Sequence, residues 1–339
     1  MMIQDRHGRS VTPAKRFVTF RAPSPRVRVS LRSEFSARLL VGLAVLLGGC
    51  GPAETPPVQE QSAPSAGEGS PSTTPEAVYH TALTFVGFGQ EPSLVQFRFE
   101  NRTAPDRLRL DYNGWIAGPD AWTSVLGVVD SIPVPRAAWR VLPAGPLRVG
   151  VEDGGELSTL RLDLAGGPVQ IDALEEVSSW SGSTGQRESL RFADLQAGGR
   201  VESGWLIQRQ RARLLDEPAP ERLIQSFLLA DTLGNGLLIL RDRAFADAPA
   251  TVWAWLDGIQ LDWADAVLLD LPGSTGLPGS WSFEVPDVGL FGEVTGSGPM
   301  MDELPEEGAG FRLYRISATI GFGDEQRSLS GIGVEERGP

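Results

Sequence analysis

The chain is 339 residues long and 41% hydrophobic, with 43 acidic against 30 basic residues, a formal net charge of −13. That excess of negative charge repels phosphate backbones and anionic headgroups, which excludes nucleic-acid binding. One cysteine and two histidines leave no disulfide framework and no cysteine-based metal site, and they argue against a His-based zinc site or a Ser-His-Asp triad.

The first 49 residues differ from the rest. Eight arginines and Lys15 face only Asp5 and Glu34, so this leader is about +7 and the remainder about −20. Leu39–Leu47 is an apolar run broken by one glycine, too short for the roughly 20 residues that a membrane helix needs. A basic stretch, a short apolar stretch and then small residues form a secretory signal. Leu47-Gly48-Gly49-Cys50 resembles the bacterial lipobox. The resemblance implies cleavage before Cys50 and a diacylglyceryl group on its thiol, followed by a further acyl chain such as palmitate. Gly51 rather than Asp after the cysteine implies the outer membrane, facing the periplasm. Lys15-Arg16 is the nearest approach to an Arg-Arg pair, which argues against twin-arginine export.

Residues 50–76 form the next segment. Gly51–Glu76 is rich in Pro, Ser, Thr, Gly and Glu and cannot bury enough apolar surface to fold. It reads as a tether between lipid and body. Thr81–Asn101 predicts two strands around Gly89-Gln90-Glu91-Pro92. Leu94, Gln96, Arg98 and Glu100 fall on one face of the second, and Val95, Phe97 and Phe99 on the other. Arg107–Tyr112 alternates again, and Asn113-Gly114 predicts a hairpin turn. Further strands are expected over Ser124–Val129, Trp139–Leu142, Leu147–Val151, Ser158–Leu164, Val169–Val177 and Glu188–Asp194. Turns are expected at Asp153-Gly154-Gly155 and Ala165-Gly166-Gly167. His80 is expected on the surface of the first strand.

Arg200–Leu215 reads as a long strand rather than a helix, because Gly204 and the lack of an apolar stripe disfavour a helix. A loop, Asp216–Pro220, should follow. Arg222–Arg241 is the clearest hairpin, two apolar runs flanking Gly234-Asn235-Gly236. Thr251–Leu256, the turn Asp257-Gly258 and Ile259–Leu271 form another. Trp281–Val285, Gly289–Val294, Gly310–Phe322 and Ser328–Glu335 complete the strands, and Pro299–Glu307 reads as an acidic loop. About a dozen strands with little helix predict an all-β fold. The expected bodies are 77–200 and 201–336. Trp139–Leu147 echoes Trp281–Leu290, and Tyr112–Trp115 parallels Leu256–Ile259, which points either to two similar units or to coincidence among Gly-rich strands.

In their order, Gly204-Trp205, Phe227–Arg241, Trp281–Pro286 and Gly331–Glu335 resemble the two-domain lipocalin-like family of carotenoid 1,2-hydratase (hydroxyneurosporene synthase) and AttH-type proteins. The resemblance covers roughly Val201–Glu335 and implies two lipocalin-like β-barrel or sandwich domains in tandem. It also implies Asp and His close to the interdomain Trp in hydrating members. Here Leu206, Ile207, Gln208 and Arg209 follow Trp205. Hydration of a double bond needs a proton donor in a dry pocket, and neither Ile207 nor Gln208 is one. The fold can therefore carry over without the catalysis.

The candidate ligand contacts are Trp205, Trp253, Trp255, Trp281, Tyr314 and Glu202, and the lipidation site is Cys50. Trp253 and Trp255 share a face. Such a pair is either a stacking platform or ordinary core, and core is the commoner use of aromatics. Asp257, Asp262, Asp265 and Asp270 read either as calcium ligands or as solvated turn charges. Their spacing fits no EF-hand loop. No catalytic residue, metal or cofactor is assigned. The leading expectation is a lipid-anchored envelope protein, more a binder than an enzyme, that takes an apolar small molecule of lipid or isoprenoid type or serves as an interaction module. One rival is a hydratase-like enzyme using Glu202 or a carboxylate of the first domain. Another is a structural envelope lipoprotein, which an exposed apolar patch would favour. The anchor is directly testable: cells given labelled palmitate should label the protein, and Cys50→Ser should abolish both the label and its membrane fraction. Labelling that persists in the variant would refute it.

Overall fold

Period-two patterning with frequent Gly, Pro and Asp turns folds into seventeen strands and no helix among the described residues. A computed structural model describes residues 76–152, 154–181, 186–214, 223–242, 249–271, 279–303 and 310–337, all inside the unit Gly69–Pro339. Cys50 and the tether lie outside the described residues.

The fold is all-β, with two barrel-like sheets in tandem. The first holds β1 (Ala77–Gly87), β2 (Leu94–Thr103), β3 (Arg107–Ala117), β4 (Trp122–Pro133), β5 (Leu147–Val151), β6 (Leu157–Leu162), β7 (Val169–Ser181), β8 (Arg187–Ala197) and β9 (Arg200–Leu214). Their spatial order is β4-β3-β2-β1-β9-β8-β7-β6-β5, so the sheet is open, with β4 and β5 at its edges. Its inner face encloses Leu83, Phe85, Phe97, Phe99, Tyr112 and Leu206. The second sheet is a closed barrel of β10 (Leu223–Ala230), β11 (Gly236–Asp242), β12 (Ala250–Leu256), β13 (Ile259–Asp270), β14 (Ser280–Val285), β15 (Leu290–Glu303), β16 (Gly310–Phe322) and β17 (Glu325–Arg337). It closes because β10 pairs with β17 along its length. Phe227, Leu237, Ile239, Trp281, Phe283 and Tyr314 fill its interior.

The outer face of the first sheet packs on the outer face of the barrel. Val86, Leu94, Trp115, Leu190, Trp205 and Ile207 meet Leu228, Leu238, Trp253, Phe311, Leu313 and Ile332. Central strands are consequently buried on both faces. Gly204–Arg209 of β9 and Ile224–Ala230 of β10 are buried without interruption. At the flanks, Trp122 on β4 donates to the Pro299 carbonyl of β15 (3.0 Å), and Trp263 on β13 donates to the Ser178 hydroxyl of β7 (2.7 Å).

Several local expectations change. Asn113-Gly114 is not a turn but the middle of β3, where Gly114 faces Phe97 across the pair. A Cβ there would lie 2.3 Å from the Phe97 ring, so the ring takes the space that a side chain would need. Trp139–Leu142 is turn and irregular chain. Asn101 holds it by donating to the Ala138 and Arg140 carbonyls (2.7 and 2.6 Å). Trp281, by contrast, is in a strand, and Asp257-Gly258 is a true hairpin turn, so neither echo joins equivalent positions. β15 runs on through Pro299 to Glu303, because a register shift between Ser297 and Met300 takes up the proline. Residues 304–309 lie outside the described residues. β9, assigned from the sequence to the second body, pairs with β1 and β8 and so completes the first sheet.

Trp205 reaches the barrel at Gly236, where a Cβ would lie 2.4 Å from its indole nitrogen. Gly236→Ala should therefore destabilise by about 1–3 kcal/mol through overpacking. Gly127→Ala, where a Cβ meets nothing within 4 Å, should stay within about 0.5 kcal/mol. Urea unfolding of both variants checks this, and equal effects would contradict the docking described.

Candidate functional site

The predicted aromatic residues form two separate groups. Trp205 is 0% exposed at the centre of the seam between sheet and barrel. It stacks on Phe192 (4.2 Å between ring centres) and meets Trp253 edge-on (5.1 Å), with Trp255 at 6.5 Å. Neither Trp205 nor Trp253 has a hydrogen-bond partner for its indole N–H. Trp281 and Tyr314 lie inside the barrel, stacked at 6.0 Å, with Phe227 4.7 Å from Trp281. Trp205, Trp253, Trp281 and Tyr314 are buried, whereas Trp255 is partly exposed.

Glu202 stands apart from both groups. Its carboxylate accepts from the backbone amides of Gly89 (3.0 Å) and Ser93 (3.3 Å) and so fastens the β1–β2 turn. The four aspartates also separate. Asp257 pairs with Arg327, Asp262 accepts from Ser178, and Asp270 lies 3.6 Å from Arg241. Among the described residues no group of three or more His, Cys, Asp or Glu side chains gathers to hold a metal.

Two polar clusters have no local sequence signal. In the barrel interior, Glu335 accepts from Gln225 (2.9 Å) and the Tyr314 hydroxyl (3.3 Å) and pairs with Arg312 (2.7 Å). Burial and the Glu335 charge push the Tyr314 hydroxyl well above its usual value. At the far end of the seam from Trp205, Arg209 bridges Glu188 (2.9 Å) and Glu336 (3.3 Å), joining β9, β8 and β17. Arg98 lies 3.7 Å from Glu336 and 4.3 Å above the Phe311 ring.

His80 belongs to this second cluster. Its ring is partly exposed, but Nε2 is sealed and has no hydrogen-bond partner, so it is not the simple surface residue expected. Burial lowers its pKa to about 3, Glu336 opposes the shift, and Arg98, Arg211 and Arg209 add to it. Burial disfavours the charge on Glu336, yet the charges of His80, Arg209, Arg98 and Arg211 outweigh it and hold that carboxyl at about 2. Burial and the neighbouring Arg209 bring Arg211 down to about 10. Buried ion pairs of this kind are weak evidence of net stability, because desolvation offsets the attraction. Their better use is to fix how two surfaces align.

Two open grooves lie elsewhere, on the outer face of the barrel. One groove of about 640 Å³ runs over β13–β16, with Val267, Leu269, Phe291, Glu284 and Glu293 along it. A second, of about 430 Å³, lies beyond the Val267–Leu269 ridge, between Arg241, Asp265 and Pro286. Val267, Leu269 and Phe291 are 50%, 58% and 50% exposed. The alternation in β13 and β15 places these residues outward, but only the pairing of β13, β14 and β15 brings them together.

No family model matches the sequence, and no curated protein matches it. Solved structures align with it over most of their length. An AttH-type protein from Nitrosomonas europaea aligns with a TM-score of 0.47 and 10% identity over 83% of this chain and 98% of its own. Kievitone hydratase from Nectria haematococca aligns at 0.46 and 10% over 80% and 91%. Likenesses of this size carry no functional weight.

The seam predicts an acid dependence. The folded pKa of His80 lies below its unfolded value, so the unfolded chain binds the extra proton first. This stability is complete above about pH 6.5 and is lost as pH falls toward 3. The depressed Glu336 carboxyl adds a loss that begins below its ordinary value of 4.5 and continues toward pH 2. Urea midpoints should fall between pH 7 and 4, and His80→Gln should flatten that slope. An unchanged slope in the variant would show that His80 does not titrate as described.

Proposed function

We propose that the chain is an exported protein, anchored through lipid on Cys50, that acts without catalysis by binding an apolar ligand on the outer face of its barrel. The observation that carries this reading is the contrast in exposure. Trp205 and Trp253 in the seam and Trp281 and Tyr314 in the barrel interior are buried, whereas Val267, Leu269 and Phe291 line an open groove. Its volume of about 640 Å³ lies within the roughly 300–1,000 Å³ typical of small-molecule sites. Large exposed apolar side chains gathered along one groove of an otherwise acidic protein mark an interaction site.

The hydratase reading has less support. It needs an acid in a dry pocket, and Glu202, its named candidate, is engaged as a turn ligand. A structural envelope role without a ligand is the outcome if the groove binds nothing.

The test is direct binding. The mature protein in mild detergent is offered long-chain alcohols, neutral lipids and isoprenoids, with stoichiometry read by native mass spectrometry and affinity by calorimetry. One-to-one binding is expected, with Leu269→Asn weakening it about tenfold, a change of about 1.4 kcal/mol. No binding across the panel, or binding indifferent to Leu269, would overturn the proposal.

A further inference from the structure

The groove over β13–β16 has a charge pattern that its apolar floor does not require. Cross-strand pairing places Val267, Glu284, Phe291 and Gly321 in one row. Leu269, Ser282, Glu293 and Thr319 form the next row. Phe291 lies flat over Gly321, where a Cβ would come within 2.4 Å of its ring. The glycine gives the ring its seat and leaves its other face toward solvent, half exposed.

Glu284 neighbours Phe291 in its row, and Glu293 follows two residues later on the same strand and face. Both carboxylates are exposed, and among the described residues neither has an ion pair or a side-chain hydrogen bond. Elsewhere the barrel's acids are mostly matched: Asp257 with Arg327, Asp302 and Glu335 with Arg312, and Asp270 with Arg241. Among the described residues no arginine, lysine or histidine lines this groove, although Arg241 lines its neighbour. An open aromatic face flanked by two unmatched carboxylates attracts a cation, and the more so when that cation is weakly hydrated. The apolar ridge beside it suits an alkyl chain.

We infer that the groove is selective for a small amphipathic cation, an alkyl chain bearing a quaternary ammonium head, with the head over Phe291 between Glu284 and Glu293 and the chain along Val267 and Leu269. The inference rests on the proposed binding role of this groove and adds the charge of the ligand.

The test uses three ligands with the same tail, all below their micelle concentrations: decyltrimethylammonium, decyl sulfate and decyl glucoside. Each is titrated into the mature protein by calorimetry at two salt concentrations. The cation should bind at least tenfold tighter than the other two, and added salt should narrow the gap. The double variant Glu284→Gln with Glu293→Gln should bind the cation and the glucoside alike. Phe291→Leu should weaken the cation more than the glucoside. All three sites are exposed, and far-UV circular dichroism with the urea midpoint verifies that each variant folds. Equal binding of the three ligands, or cation preference that survives the double variant, would overturn this inference and leave the binding role standing. Failure of every decyl ligand would overturn both.

Discussion

Everything in this protein depends on burying the outside of one β-sheet against the outside of another. An isolated barrel keeps its outer face wet, and its strands alternate accordingly. Here β9, β1, β10 and β17 are covered on both sides, so alternation in exposure gives way to continuously buried runs such as Ile224–Ala230. Each such strand must therefore satisfy two cores at once. That demand explains the concentration of large aromatics along the seam. It also explains the glycine at position 236, where the Trp205 ring of the first sheet approaches the backbone of the barrel.

The seam is apolar at one end and ionic at the other. On the outer face of β9 the side chains run Trp205, Ile207, Arg209, Arg211, so a single strand carries the whole gradient. The apolar end supplies the attraction. The Glu188–Arg209–Glu336 bridge contributes little net stability after desolvation, but it is satisfied in one alignment only. A slip of either sheet along the other would leave buried charges unpaired. The rim contacts of Trp122 and Trp263 fix the same alignment from the flanks.

Much of this architecture is legible in the chain itself. The β10–β11 hairpin is written in Gly234-Asn235-Gly236 between two apolar runs, and the faces of β2 follow its alternation. Asn113-Gly114 misleads because a turn dipeptide signals a turn only where the chain is free to reverse. At this point the Phe97 ring needs the vacant Cβ position more than the chain needs to turn. The ionic seam is invisible locally. Arg209 is 21 residues from Glu188 and 127 from Glu336, and no spacing rule spans such distances. The groove is hidden for a related reason: its apolar residues come from different strands and look like scattered surface positions until the register joins them.

Strand order also bears on how the chain can become folded. The first sheet is centred on β1 and β9, which join Ala77 to Leu214, and the barrel closes by joining Leu223 to Arg337. Each unit is thus locked by contact between its first and last strands, and the loop-closure entropy of well over a hundred residues must be met before those contacts form. For a chain made from its N-terminus, neither unit can complete itself until its final strand has been added. Such wiring leaves the early hairpins of each unit without their closing partner and defers its tertiary structure to the synthesis of its last strand.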